Sequence, residues 1–407
     1  MNHCDKPGLM PVEVALERLL QTVEVTTATE TLPLAGSLGR VLAQDVVSSV
    51  AVPPADNSAM DGYCMRFQDY QADTRYTVSQ RIPAGAAPEE LLPGTVARIF
   101  TGAELPCNAD TVIMQEDVTA TEAGVCIDEA PKPGQNVRPA GQDIEQGQVV
   151  LAAGARLRAQ ELGLLASIGV AEVCVYKALR VAILSTGDEL VEPGNPLHKG
   201  QIYNSNRYTL LGLLQGLGLE ILDLGVIPDD VAQTEAALIR AASEADVVIS
   251  SGGVSVGEED HIKSVLEKLG QLEFWRLAIK PGKPFTYGTI MQTPFLGLPG
   301  NPAAVFVTFA LLCRPWLLKK QGAMQWLPDE IRVPAAFSVG KPAGRQNYLR
   351  ARLISSGGRQ VVEMYPNQSS GILFSASWGN GFAIIPPGEV VAEGELVRFL
   401  PYEFILH

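Results

Sequence analysis

The chain has 407 residues, 46% of them hydrophobic, with 39 Gly and 28 Pro; this excludes a disordered chain and exceeds one ordinary core, so two to four domains are expected. A net charge of −14 argues against nucleic acid or an anionic membrane as the main partner, so an anionic ligand must be met by local donors. Six scattered cysteines without a C-x-x-C pair, and only four histidines, argue against a zinc or thiol-redox site and predict reduced, mostly buried thiols in a cytoplasmic protein.

The first twenty residues lack the basic flank and long apolar core of a signal peptide. Residues 11–20 (PVEVALERLL) place Val14, Leu16, Leu19 and Leu20 at helical spacing. Residues 52–63, VPPADNSAMDGY, join two prolines to turn-forming Asp, Asn and Gly and predict a polar loop able to present carboxylates. The short runs YTVSQ, TVARIF, TVIMQE, GVCID and QVVL then predict a small β-rich domain over 76–149. Thr101 and the segment Arg138 to Asp143 lie in loops that end its strands. A helix over 161–168 and a strand over 171–176 follow.

From Leu179 the pattern changes. Apolar runs predict strands at 180–184, 220–227, 246–249, 274–279, 285–290 and 294–298, and helical spacing recurs at 206–217, 231–245, 260–269 and 303–312. This alternation predicts a mostly parallel, doubly wound sheet over 178–327, covered on both faces. The apolar segment 303–313 is too short to span a bilayer. Beyond residue 329, IRVPAAF, YLRARLI, QVVEMY, GFAIIP and LVRFLP predict a small barrel or sandwich.

The polar loops at the strand ends carry the chemistry. Residues 250–260, SSGGVSVGEED, follow a buried strand and open a helix, which is where open α/β sheets bind ligands. The glycines let backbone N–H groups approach an anion, the serines add donors, and Glu258, Glu259 and Asp260 add carboxylates. Ser185-Thr186-Gly187-Asp188-Glu189 and Asp229 end neighbouring strands, while Lys280 and Lys283 suit phosphate or an oxyanion. Asn301 as cap with Pro302 at the first helical position makes a helix start suited to an anion. Taken singly, each acid or lysine is equally well a solvated charge, and LPGNP merely a good helix start. Their convergence on one sheet edge predicts a magnesium–phosphate site.

DNSAMDGY, FTGAELP, RPAGQDI, STGDEL, NSN, SSGGVSVGEED, AIKPGKP and LPGNP occur in the order found in MoeA-type molybdopterin molybdenumtransferases, and the resemblance runs over residues 11–400. Gephyrin E domains are the eukaryotic relatives. The resemblance implies a multidomain α/β plus β protein in four parts. A MogA-like doubly wound domain takes 7–27 and 178–327, and a linker or dimerisation domain takes 28–45 and 144–177. A β-rich domain is inserted over 46–143, and a small β-barrel takes 328–407. It further implies an elongated homodimer in which one subunit's β domain completes the other's cleft. The implied reaction takes adenylylated molybdopterin and molybdate, with Mg2+, to molybdenum cofactor and AMP. A transient contact with the MogA-like adenylyltransferase is implied as well.

Residue by residue, the resemblance assigns Glu189, Asp229 and Asp260 to the metal, and Asp61, Thr101, Asp143 and Glu189 to catalysis. It assigns Arg138, Ser185, Thr186, Ser251, Gly252, Gly253, Ser255, Gly257, Lys280 and Lys283 to substrate. Pro299, Gly300, Asn301, Pro302, Arg345, Arg350, Ser369 and Ser370 complete that set. Two departures stand out. The family often reads LPGNPVS, whereas Ala303-Ala304 here offer no hydroxyl, and RPAGQDI is plainer than Arg-richer versions. STGDEL, SSGGVSVG and LPGNP are shared with MogA-like adenylyltransferases, but the extra domains argue against that activity. Nothing resembles the fused linker or partner motif of a gephyrin-like scaffold.

Overall fold

The computed structural model describes residues 8–252 and 261–406. Strands Glu220–Ile227, Arg180–Thr186, Val247–Ser251 and Thr293–Leu298 pair side by side in parallel, in that spatial order. Pro284–Ile290 and Gly270–Arg276 extend the sheet antiparallel, so it is mixed but mostly parallel. Successive side chains on a strand point to opposite faces. Val181, Ile183, Val247 and Ile249 therefore join one core with Leu210 and Leu214 of helix Ser205–Gly216. Ala182, Leu184 and Val248 join another with Leu238 and Ala241 of helix Val231–Glu244. Side-chain caps set both helix starts: Asn204 accepts from Arg207 N–H at 3.2 Å and Asp230 from Gln233 N–H at 2.8 Å.

Helix Val12–Gln21 packs Val12, Ala15 and Leu19 into the first of these cores, beside Trp316 and Leu317. The strand expected over 274–279 is two pieces. Gly270–Arg276 belongs to the doubly wound sheet, but Leu277 N–H bonds to Lys283 O and Ala278 N–H to Met10 O, which carries the chain out of it. Ile279–Lys280 then pairs in parallel with Gln346 and Asn347 of the C-terminal sheet. That sheet runs Ile279–Lys280, Gln346–Ser356, Gly381–Ile385, Leu396–Pro401, Ile331–Pro334, with Arg359–Met364 also on Gln346–Ser356. Phe382 and Tyr402 make edge-to-face contacts with Phe306, so one apolar core continues from the doubly wound sheet into the C-terminal strands.

The helix expected over 303–312 is longer. Pro302–Thr308 continues through a π-helical turn, Phe309–Cys313, into Arg314–Lys320. Pro315 lacks the N–H that an uninterrupted α-helix needs there, and the wider turn before it absorbs the defect. By length and composition alone the 19 residues Pro302–Lys320 could cross a membrane, yet 83% of their most apolar window is buried inside the protein.

Between the first helix and the doubly wound sheet lies a six-stranded sheet in the order Thr111–Met114, Gly62–Met65, Thr95–Ile99, Arg75–Ile82, Gly124–Ile127, Val118–Thr121. The QVVL run expected within it forms Val149–Leu151 instead and pairs with Val46–Val47. Its Val150 and Leu151 pack against a separate core of Leu42, Ile144, Leu157 and Leu165. The cysteines are free among the described residues, but only Cys64 and Cys313 are buried; Cys107 is exposed, and Cys126 and Cys174 are half-buried. The sequence reading of mostly buried thiols is corrected accordingly: Cys107 lies in a turn outside the strands, and Cys126 and Cys174 lie on short strands that leave them partly open to solvent.

Candidate functional site

From Arg180–Thr186 the chain crosses to Glu220–Ile227 on one side of it, then returns to Val247–Ser251 on the other. The crevice beyond the carboxyl ends of Arg180–Thr186 and Val247–Ser251 is thus a topological switch point, where open α/β sheets take ligands. Ser185 and Ser251 stand opposite each other in register, both buried, with their hydroxyls hydrogen-bonded at 2.9 Å. Gly252 follows at φ 86°, and a Cβ there would press on Thr186 O at 3.2 Å. A cleft of about 610 Å³ opens here, lined by Thr186, Glu189, Ser251 and Gly252.

Lys280, Lys283 and Arg345 bring three cations to the same cleft. Lys280 arrives because its strand has crossed to the C-terminal sheet, and Arg345 Nη1 donates to Ile279 O at 3.1 Å, tying the two contributions together. Ser370 and Gln368 add polar groups from the C-terminal part. A chain of net charge −14 therefore concentrates positive charge where an oxyanion could sit.

Pro299, Gly300, Asn301 and Pro302 also line the cleft, and Asn206 of the NSN run donates its Nδ2–H to Gly300 O at 2.7 Å. Ala303 N–H bonds to Ser370 O, and Ala304 and Val305 N–H bond to Asn301 O, each at 3.0 Å. The Ala303, Ala304 and Val305 N–H groups are thereby satisfied inside the protein. Ala304 presents only a methyl group to the cleft.

Arg350 and Ser369 do not line the cleft. Arg350 is 1% exposed; its Nε donates to Ser375 Oγ and its Nη2 to Ser369 O, both at 3.0 Å. Its backbone N–H and carbonyl clasp the Gln368 amide at 2.9 Å each. The guanidinium expected to touch substrate is instead spent holding the loop that delivers Gln368 and Ser370.

Asp61, Thr101, Arg138 and Asp143 lie on the inserted β unit and none of them lines this cleft. Thr101 N–H and Oγ1–H donate to Asp61 Oδ1 at 2.8 and 2.7 Å. These two bonds, with Arg98 nearby, hold the Asp61 carboxyl below the usual carboxylate range. The loops around Asp61 and Arg138 are stitched together: Arg138 pairs with Asn57, Ala140 N–H bonds to Asp56 Oδ1 at 2.8 Å, and Asp143 N–H to Val52 O at 2.9 Å. Arg138 and Asp143 are exposed.

Among the acids proposed for a metal, Glu189 lines the cleft and Asp229 is exposed, its N–H bonded to Asp188 Oδ1 at 3.1 Å. Among the described residues no group of three or more His, Cys, Asp or Glu could hold a metal ion. Asp260, Gly253, Ser255 and Gly257 lie outside the described residues. Ile202 and Tyr203 also line the cleft and were not anticipated, whereas Gln368 lines it from the polar run Gln368 to Gly371 that the sequence offers to an oxyanion. The NSN run beside Tyr203 was the available signal.

A doubly wound sheet whose switch-point crevice is walled by lysines and an arginine, and closed on one side by a second sheet, defines a protein that handles an anionic small molecule. Residues 10–169 match the MoeA N-terminal region (domain I and II), 182–319 the probable molybdopterin binding domain, and 332–402 the MoeA C-terminal region (domain IV). The chain is 44% identical over 404 residues to a molybdopterin molybdenumtransferase of Haemophilus influenzae, covering 98% of this chain and 100% of that one. It is 39% identical to the molybdopterin molybdenumtransferase of a Nostoc species, covering 97% and 93%. A solved molybdopterin biosynthesis moeA protein from Pyrococcus horikoshii OT3 is similar at a TM-score of 0.83 and 32% identity, covering 97% and 100%. The chain belongs to the MoeA family.

Proposed function

We propose that this chain is a molybdopterin molybdenumtransferase, which inserts molybdate into adenylylated molybdopterin and releases AMP in molybdenum cofactor biosynthesis. The observation that carries the reading is Lys280, Lys283 and Arg345 gathered around a switch-point crevice, in a chain similar along nearly its whole length to such transferases.

The cations neutralise the pyrophosphate and the incoming oxyanion, and the Ser251 hydroxyl and the backbone beyond it offer donors to the same anion. Glu189 folds its carboxylate over Gly187, in the space a Cβ would fill, and no described residue hydrogen-bonds to that carboxylate. One free carboxylate beside ligand phosphates suits Mg2+, which needs few protein ligands. Glu189, with Asp229 and Asp260, would hold the ion, which would draw charge from the pyrophosphate. Attack of a water oxygen on the adenylyl phosphorus forms one P–O bond and breaks that to the bridging oxygen; AMP leaves with the new oxygen, the pterin keeps its phosphate, and the water's protons pass to solvent.

Asp61, Thr101, Arg138 and Asp143 act on the partner subunit's cleft in an elongated homodimer, a reading supported by their absence from the cleft of their own chain. The four-part division of the chain, at the boundaries given above, goes with it. Closure of the C-terminal strands into a barrel is supported by Ala336 N–H bonding to Val362 O at 2.8 Å. A cytoplasmic location and a transient contact with the MogA-like adenylyltransferase complete the reading.

The test is AMP release from adenylylated molybdopterin by purified protein with Mg2+, with and without molybdate. Molybdate-dependent release, yielding cofactor that activates an apo-molybdoenzyme, is expected. Tight binding without release would overturn the transferase reading. Sedimentation showing only monomer would remove the shared cleft.

A further inference from the structure

We propose that Arg98 is the positioning residue of Asp61, clamping the backbone that follows that carboxylate so that one of its oxygens faces the reaction. The inference rests on Asp61 acting in the transfer. Arg98 lies on strand Thr95–Ile99, opposite Tyr63 of strand Gly62–Met65. Its Nη1 donates to Gly62 O at 3.1 Å and its Nη2 to Gln115 Oε1 at 2.6 Å. Gln115 N–H in turn donates to Asp61 O at 3.0 Å. Two consecutive carbonyls, of Asp61 and Gly62, are thereby held by one Arg–Gln pair.

The same guanidinium lies over the Phe100 ring, 4.7 Å from its centroid, and Phe100 precedes the Thr101 that binds Asp61 Oδ1. Arg98 thus touches both segments whose meeting defines the Asp61–Thr101 pair. Thr101 occupies Oδ1 twice, and no described residue bonds to Oδ2, which is the oxygen left to meet a substrate or carry a proton.

A purely structural role is a poor account of this arginine. Arg81 stands beside it on the neighbouring strand, and like charges at adjacent strand positions destabilise a sheet. The Phe100 ring between them, with Arg81 at 4.6 Å and Arg98 at 4.7 Å, moderates that cost. Among the described residues Arg98 has no carboxylate partner in a salt bridge. What it holds is backbone next to Asp61. Its planar fork reaches Gly62 and Gln115 together, which a lysine cannot do.

The experiment uses the full chain with Arg98→Gln, Arg98→Lys, Asp61→Asn and the control Arg81→Gln. Steady-state AMP release and 13C NMR titration of the Asp61 carboxyl are the readouts. Arg98→Gln should lower kcat roughly 10- to 100-fold with KM little changed, as misplacement of a reacting group does. It should also move the Asp61 titration and the acid limb of kcat to higher pH. Arg98→Lys should recover the charge effect on the titration but little of the rate, and it carries the test if Arg98→Gln fails to fold. The double variant with Asp61→Asn should be no slower than Asp61→Asn alone, and Arg81→Gln should match the unaltered protein. An Arg98→Gln protein with unchanged kcat and Asp61 titration, while Asp61→Asn is slow, overturns the proposal alone. An Asp61→Asn protein at full rate overturns the reading beneath it.

Discussion

The hydroxyls of Ser185 and Ser251 are hydrogen-bonded at 2.9 Å, buried between two parallel strands at the point where the sheet reverses its strand order. The bond ties the floor of the cleft to both strands that frame it. Ser251→Ala leaves the Ser185 hydroxyl buried without its partner and should lower stability by about 1–3 kcal/mol. Removing both hydroxyls should cost less than the sum of the single changes, because no orphan remains. Urea denaturation of the two single variants and the double variant measures this.

Lys280 and Lys283, three residues apart, and Arg345, more than sixty residues further on, reach the same cleft. Replacing any one by Gln removes a charge-assisted hydrogen bond worth about 1.5–3 kcal/mol, so affinity for adenylylated molybdopterin should fall roughly 10- to 100-fold. Calorimetric titration at two salt concentrations should also show a shallower salt dependence in each variant.

Arg350 contacts no cleft volume, yet its loss should weaken ligand binding. Arg350→Met abolishes the bonds to Ser375 and Ser369 O and loosens the loop whose Ser370 O caps Ala303 N–H. Stability should fall by about 2–4 kcal/mol, read as a lower Tm, and Arg350→Lys should not restore it because one ammonium cannot span both partners. An unchanged Tm in Arg350→Met would contradict this account.

Asp61 titrates below the ordinary carboxylate range, first because of the Thr101 backbone bond, then the Thr101 hydroxyl, with Arg98 adding to it. A depressed folded value means that the carboxylate stays ionised to lower pH than in the unfolded chain. Its stabilising bonds are therefore present above the unfolded value of about 3.9 and are lost as pH falls through the folded one. Thr101→Val removes one of the two bonds and should shift the acid limb of kcat upward. A pH–rate profile of the variant decides it.

Much of the architecture could be read from residue spacing. Glu220–Ile227 occupies the span its alternation predicted, and the polar runs at 185–189, 250–252 and 299–302 fall at one sheet edge because parallel strands all end there. The longer course of Pro302–Lys320 escaped prediction because a π turn let the helix continue past Pro315. The split of 274–279 escaped as well, since whether Ile279–Lys280 stays in its sheet depends on a partner, Gln346–Asn347, with no local trace.

The same division runs through the site. Residue type and spacing alone placed lysines, hydroxyls, glycines and a carboxylate at neighbouring strand ends, because parallel strands bring their polar end loops to one edge. Which arginine lines the cleft was decided only by tertiary structure. Arg345 and Arg350 are alike in sequence, five residues apart, yet one lines the cleft and the other is buried behind it. At the helix start after Asn301, the Ala303 N–H is likewise taken by Ser370 O, more than sixty residues away. A hydrogen-bond donor is available to a ligand only if nothing within the fold has already taken it, and local sequence does not show what the rest of the chain brings near.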